Sequence, residues 1–557
     1  MTRTCDVLVI GSGAGGLSAA VTAAHAGLDV IVAEKTPFIG GTTAWSGGWL
    51  WVPRNPLATE AGIHEAIDEP LNYLAQEIGN RVTDPRIRRF LEVGPEMVAF
   101  FRDHSQIDWI DGNKMPDFHD HAGARTGGRS VSVAPYDARH LGVWADKLRP
   151  PLAPTTIAGM ALAGGADMAA FFNWSRSLAN TAHVLKRLAR HGVDLARAGR
   201  SRQLVNGNAL AARLLKSALD LGVTVLTKAP ARRLLVEADR VIGADVGGEV
   251  ITAHRGVVLA TGGFPHDRAR IKEMFDHAPT GAEHHSAAPD TNTGDGLRIA
   301  EEIGAGITRD YINPGAWAPV SLVPRKGAAP YRFPHLIERA KPGIIAVGPD
   351  GRRFVNEADS YHDFMCALFA TGADHAWIIA DAKARRRFGI GAVKPAPFPD
   401  GPHLRSGYLT RTRTVDDLGR KLNLPDCALR QTIDQFNAAA AQGQDPAFRR
   451  GASPYNRAQG HAFHEPNPSL RPLTKGPYYA VKVVPGSLGT FAGLMTDARA
   501  RVLRDDGTPI GGLYATGNDA ASIFGGNYPS GGITLGPAMT FGYITGRDLA
   551  RVPDTRE

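Results

Sequence analysis

At 557 residues, with 43% hydrophobic and 21% charged side chains, the chain has the make-up of a soluble globular protein, long enough for a large core and several domains. The net charge of +8 is spread along the chain, and the short runs Arg232-Arg233 and Arg385-Arg386-Arg387 lack interleaved aromatics, so they read as solvated faces and exclude a nucleic-acid surface. Three scattered cysteines, Cys5, Cys366 and Cys427, give neither a disulfide framework nor a metal-ligand spacing; with no long apolar run and a first strand near residue 5, the expectation is a cytoplasmic protein with no signal peptide and no transmembrane segment.

The first element is the most informative. Val7 to Ile10 is an apolar, β-branched run of the kind that forms a buried parallel strand. It enters Gly11-x-Gly13-x-x-Gly16, and Leu17 to His25 follows as an Ala-rich helix. A second strand, Val30 to Ala33, ends at Glu34. In such a unit Gly11 allows the tight turn, Gly13 lets backbone approach a pyrophosphate, and Gly16 lets helix and strand pack closely. The helix N-terminus offers free N–H groups to the phosphates, and Glu34 can accept hydrogen bonds from ribose hydroxyls. A second cluster, Gly40 to Gly48, brings Gly41, Gly47 and Gly48 with the hydroxyls of Thr42, Thr43 and Ser46. That is better suited to a permanently held flavin than to a nicotinamide cofactor that leaves.

Further on, residues 72–78 and 87–101 have amphipathic helical patterns, and 111–165 is a long irregular segment expected to cover a substrate. A helix is expected over 208–221, a strand over 223–226 and a hairpin over 234–246. Gly256 to Gly263 repeats the strand-to-glycine pattern and sets Thr261 and Gly262 beside the dinucleotide. Thr293 to Gly296 opens another helix over 297–303. Between about 310 and 486 this pattern stops, while prolines and aromatics rise, which marks an insertion containing a helix over 428–441. It resumes with Gly512 to Asn518, a glycine-rich turn over 525–536 and an apolar helix over 539–549.

The Gly11 fingerprint with Gly40 to Gly48, the stretch Gly351 to Glu357 and the ending Gly512 to Tyr543 resemble the fumarate reductase and 3-ketosteroid dehydrogenase superfamily of flavoproteins. Tyr528-Pro529, the glycine turn and Gly536-Pro537-Ala538 are most similar to its 3-ketosteroid 1-dehydrogenase branch. The resemblance implies an α/β fold: a Rossmann-like, GR2-type FAD-binding domain (1–310 and 487–557) with an inserted α+β catalytic domain (311–486). It implies non-covalent FAD, with further contacts from Ala14, Lys35, Ala229, Asp295, Gly517, Asn518, Thr534 and Leu535. It also implies removal of two hydrogens beside a ketone. Tyr361 matches the base that takes the α-proton; Tyr528 and the Gly532 N–H match the pair that holds the ketone oxygen.

One match fails. Phe118 stands where the family has a supporting tyrosine, and Tyr136 is a nearby substitute. The chemistry requires a base, two donors on the ketone oxygen and a hydride acceptor, which the flavin N5 supplies. A phenol titrates near 10, so a tyrosine base needs cations or donors; Arg352 and Arg353 are near in sequence, and an alkaline optimum is expected. The expected partner is a lipophilic cyclic ketone, a 3-ketosteroid first and a cyclohexanone-type ring second, with an external electron acceptor left open. A dicarboxylate reductase is the rival, but Tyr361 and Tyr528 stand where that side of the superfamily carries arginines, and a tyrosine cannot grip a carboxylate bidentately. His119, His121 and His362 are set aside as acid or base.

Overall fold

The computed structural model describes residues 2–551. Its largest sheet has the strands β1 (Thr2–Ile10), β2 (Val30–Glu34), β3 (Thr224–Thr227), β4 (Ala231–Glu237), β5 (Arg240–Val246), β6 (Glu249–Leu259), β7 (Arg501–Leu503) and β8 (Pro509–Ala515). Their order is β7-β8-β5-β6-β1-β2-β3, with β4 on β5. β6, β1, β2 and β3 run parallel, and β8 joins β6 in parallel. Val7, Leu8 and Val9 are wholly buried, as a strand covered on both faces requires.

Register decides where a ligand can sit. Ile10 pairs with Leu259, and Leu259 with Ala515. The turns at Gly11, Gly262 and Gly517 therefore leave the sheet side by side, at the carboxyl ends of parallel strands, where α/β folds bind their ligands. Helix α1 (Ala14–His25) starts directly at the first of these turns. Gly11 has φ +109°, and a Cβ there would lie 2.1 Å from the Ala260 carbonyl oxygen, so only glycine fits.

The strand-free stretch of this sheet, from 260 to 500, supplies a second, antiparallel sheet in the order 344–347, 376–380, 478–483, 410–412. One continuous core joins the two: Leu8 and Leu259 of the large sheet cluster with Ile344 and Ile378 of the small one, and with Phe364, Met365 and Leu368 between them.

Most sequence-based elements lie within a few residues of their expected positions. Between 166 and 205 no element is expected, yet Ala166–Phe172 is helical and α2 (Leu178–Ala198) is a full helix, opened by Ser177 accepting from the Asn180 N–H and closed by Gly199 in the left-handed conformation. Of the basic runs, Arg232 and Arg233 are exposed, but Arg385 is buried beside Asp400 and the Phe398 carbonyl, so the second run is not simply a solvated face. No helix among the described residues is long and apolar enough to cross a membrane.

Candidate active site

A cavity of about 1480 Å³ opens at the three glycine turns and is lined beyond them by residues from 333–341, 391–398 and 455–463. Every catalytic and cofactor residue expected from the sequence lines it except Gly16, and so does Phe118, but not its candidate substitute Tyr136. Gly16 stands behind the wall, where a Cβ would meet the Gly11 carbonyl oxygen at 2.3 Å; its work is helix–strand packing. The cavity exceeds the roughly 300–1,000 Å³ of ordinary small-molecule pockets, so it has room for a dinucleotide together with a substrate.

Its N-terminal end suits FAD. Gly13 precedes α1 and offers no side-chain cap to the helix amides, while Thr43 Oγ1 accepts from the Ala14 N–H at 2.9 Å. Glu34 is buried; Oε2 accepts from Ser12 Oγ at 2.6 Å and Oε1 from the Thr36 N–H at 2.9 Å. Oε1 thus keeps a free acceptor site beside the cavity. Lys35 Nζ is 2.5 Å from Asp295 Oδ2, which ties β2 to the 293–296 turn. Asp519 is a residue sequence reasoning missed. Its buried carboxylate accepts from the Thr261 and Gly263 N–H groups at 2.6 and 2.9 Å, locking two of the glycine turns together. The signal was an acid two residues after Gly517.

Three tyrosines and one phenylalanine meet deeper in the cavity. Tyr361 opens helix α3 (Tyr361–Ala370), where Ser360 caps the Asp363 N–H at 3.1 Å. Tyr528 lies in the glycine turn; the Pro529 carbonyl after it is held by Tyr73 Oη at 2.6 Å and the Phe118 N–H at 3.0 Å. The Tyr361 and Tyr528 rings meet edge to face, centroids 4.9 Å apart. Phe118 stacks on Tyr528 at 5.7 Å and stands edge-on to Tyr361 at 5.7 Å. Gly532 has φ +103°; its carbonyl accepts from Trp51, and its N–H has no acceptor among the described residues, so it is available to a ligand. Tyr136 does not join them. It lies on a separate groove with Arg213 over its ring. The hydroxyl beside Phe118 belongs instead to Tyr455, whose ring is 4.5 Å away on helix α4 (Pro454–Gln459). No motif marked Tyr455, because it lies far along the chain from the other three.

The cations also differ from expectation. Arg352 is exposed, and Arg353 is spent on Glu357 Oε2 and Asp445 Oδ2 at 2.6 and 2.8 Å. Glu357 also accepts from the wholly buried Arg450 at 3.0 Å. Its burial is outweighed by these guanidinium groups, which hold its carboxyl down to about 2. This network explains the Gly351 to Glu357 stretch as an anchor for the chain entering α3. The cation near Tyr361 is Arg339, fully buried and bonded to the Glu357 and Asp359 carbonyls at 2.8 and 3.2 Å. Burial, then Tyr528 and Tyr455, push the Tyr361 phenol well above 10, with Arg339 opposing them. Burial pushes Tyr528 to about 12.

The histidines take structural roles. His119 Nδ1 lies 2.9 Å from Glu77 and Nε2 lies 2.8 Å from Asp363. Glu77, His119 and His121 are close enough to surround a metal ion, a grouping that cysteine spacing could not reveal, but both His119 nitrogens are already engaged by carboxylates. Burial drives His362 down to about 4, so it is neutral.

The family model described as an FAD binding domain (FAD_binding_2) matches residues 6–535. The chain belongs to this family. It is an FAD-dependent oxidoreductase acting on carbon–carbon bonds, and the resemblance to the 3-ketosteroid dehydrogenase branch extends over the full length. It is 40% identical to a 4-oxocyclohex-2-ene-1-carboxylate 5-dehydrogenase of Sinomonas cyclohexanicum, covering 100% of this chain and 95% of that one. It is 36% identical to a 3-oxosteroid 1-dehydrogenase of Mycolicibacterium smegmatis, covering 98% and 97%. The solved 3-ketosteroid delta1-dehydrogenase of Sterolibacterium denitrificans, in complex with 1,4-androstadiene-3,17-dione, superposes with a TM-score of 0.90 at 35% identity, over 98% of this chain and 99% of that one.

Proposed function

We propose that this flavoprotein introduces a double bond between the carbons α and β to a ring ketone. The observation that carries the reading is the pair Tyr361 and Tyr528, 4.9 Å apart in the cavity wall, with the unengaged N–H of Gly532 beside them. Tyr528 and Gly532 would donate to the ketone oxygen and stabilise the developing enolate, each donor contributing roughly 2.7–4 kcal/mol when preorganised. Tyr361 takes the α-proton, and Arg339 favours its phenolate. FAD supplies the acceptor for the β-hydride. In this reading residues 1–310 and 487–557 hold the cofactor, and 311–486 bring Tyr361, Arg339 and Tyr455 to the substrate.

On the substrate, Phe118 supports a compact ring ketone of the cyclohexenone type over a steroid. It removes a hydroxyl that the steroid branch carries, and the relative at 40% identity is named for a cyclohexene carboxylate. The steroid reading keeps the support of the relative at 36% and of the solved neighbour. Anaerobic bleaching of the oxidised flavin band separates them. Bleaching by 4-oxocyclohex-2-ene-1-carboxylate and not by 4-androstene-3,17-dione is the expected result; the reverse selects the steroid. Bleaching by neither ketone, with the reduced protein reoxidised by fumarate, would overturn the assignment of the tyrosines.

A further inference from the structure

Helix α4 carries the cavity wall from Tyr455 to Gln459, about 6 Å along its axis at 1.5 Å per residue. The wall also contains two lysines, Lys341 at the far end of this helix and Lys394, which shares with it the field of Glu338. Lys341 is buried; Nζ donates to the Gln459 and Gly460 carbonyls at 2.6 and 2.7 Å. Lys394 Nζ donates to the Pro154 carbonyl at 2.5 Å. Neither is bridged by a carboxylate among the described residues. Glu338, the acid whose field reaches both, is engaged by His335 Nδ1. Two ammonium groups against one carboxylate leave this end net positive. A buried ammonium without a counter-charge is costly, and burial pushes both lysines down to about 8. Position at the end of α4 accounts for Lys341, since cations favour helix C-termini, but not for Lys394, which has a single carbonyl. His461 also lines this end; its buried Nε2 has no partner and the ring is held neutral, pushed down to about 4 by burial and the surrounding cations.

We infer that this end of the cavity binds a carboxylate carried by the substrate, with Lys341 and Lys394 selecting an anionic ring ketone over a neutral one. The inference rests on the ring-ketone reading above. A six-membered ring with a carboxylate across from its ketone carries its two polar groups at opposite ends, as Tyr455 and Lys341 stand at opposite ends of α4. A neutral ketone would leave the two lysines without a counter-charge.

The test compares 4-oxocyclohex-2-ene-1-carboxylate with cyclohex-2-en-1-one on the holoenzyme, in the wild type and in Lys341→Met, Lys394→Met and the double variant. The wild type should show a KM at least about tenfold lower for the acid, as charge-assisted contacts predict. The methionine variants should raise that KM while leaving the neutral ketone's KM and kcat in place, and Lys394→Arg should restore the preference in part. Equal KM values for the two ketones in the wild type would overturn the inference while leaving the ring-ketone reading standing. Should Lys341→Met lose flavin or melt early, Lys394→Met and the wild-type comparison decide. If no ring ketone bleaches the flavin, the function reading fails. Quenching of tryptophan fluorescence by cyclohexanecarboxylate then tests the lysines alone, and binding unchanged in the double variant would overturn them.

Discussion

The Phe118 ring packs against the Tyr455 ring, with centroids 4.5 Å apart and planes inclined by 42°. Tyr455 therefore brings a hydroxyl into the cavity next to the position where the resembled branch carries its own. Burial and nearby acids push this phenol above its ordinary range, so it stays protonated and can donate. Tyr455→Phe should lower kcat/KM about tenfold, equivalent to about 1.4 kcal/mol. Adding Phe118→Tyr to that variant should recover part of the loss. Steady-state kinetics with flavin content held equal would check this; unchanged turnover in Tyr455→Phe would remove it from the mechanism.

Much of this site was legible in the sequence, and the rest was not, for identifiable reasons. The Gly11 fingerprint and the two later strand-to-glycine turns are local patterns, and strand register brings them together at one sheet edge. Tyr361 and Tyr528 stood in recognisable motifs. Arg339, Tyr455 and Arg450 act across long stretches of chain, and nothing beside them in sequence announces a partner; Asp519 had only the nearby Gly517 turn to mark it. The contrast between Arg353 and Arg339 makes the point: the arginine near Tyr361 in sequence is neutralised by Glu357 and Asp445, while the distant one approaches it in space. Helix α2 is a different case: a serine cap, a glycine stop and a strongly amphipathic pattern were all present in the sequence, so no physical feature hid it.

Tyr528→Phe removes one donor to the ketone oxygen and should cost about 10²–10³ in kcat. Flavin should remain bound, because Tyr528 is held by aromatic neighbours rather than by the glycine cradle. Tyr361→Phe should abolish exchange of the substrate's α-hydrogens in heavy water. Since burial holds the Tyr361 phenol well above 10, kcat/KM in the wild type should climb with pH into the alkaline range. A flat profile from pH 6 to 9 would show that Tyr361 is not the base.

Gly16→Ala tests the cofactor end without touching the cavity wall. The added Cβ would stand 2.3 Å from the Gly11 carbonyl oxygen and 3.1 Å from Ala260 Cβ, so α1 must move away from β1. That movement misaims the helix amides, and purified protein should hold markedly less FAD, read from the ratio of flavin to protein absorbance. Gly192→Ala in α2 is the matching control. Its Cβ meets nothing within 4 Å, and an exposed helix position should gain up to about 1 kcal/mol with flavin content unchanged.

His119, next to Phe118 in its loop, is bonded to Asp363 on the helix carrying Tyr361 at 2.8 Å and to Glu77 on the helix Asp68–Ile78 at 2.9 Å. Burial alone would lower its affinity for a proton. The two carboxylates outweigh burial and raise it from 6.5 to about 10. A group whose pKa is raised on folding contributes stability that is fully present below the unfolded value and is lost as pH rises through the folded one. The His119 contribution should thus be complete below pH 6.5 and fade as pH approaches 10. His119→Gln keeps the size of the side chain but cannot take the charge. Thermal midpoints of wild type and variant should therefore differ most below pH 6.5 and converge toward pH 10. A gap that stays constant across this window would mean that His119 stabilises by packing, not by its charge. Because α3 begins at Tyr361, the same variant should also lower turnover at neutral pH by loosening the approach of that tyrosine to Tyr528.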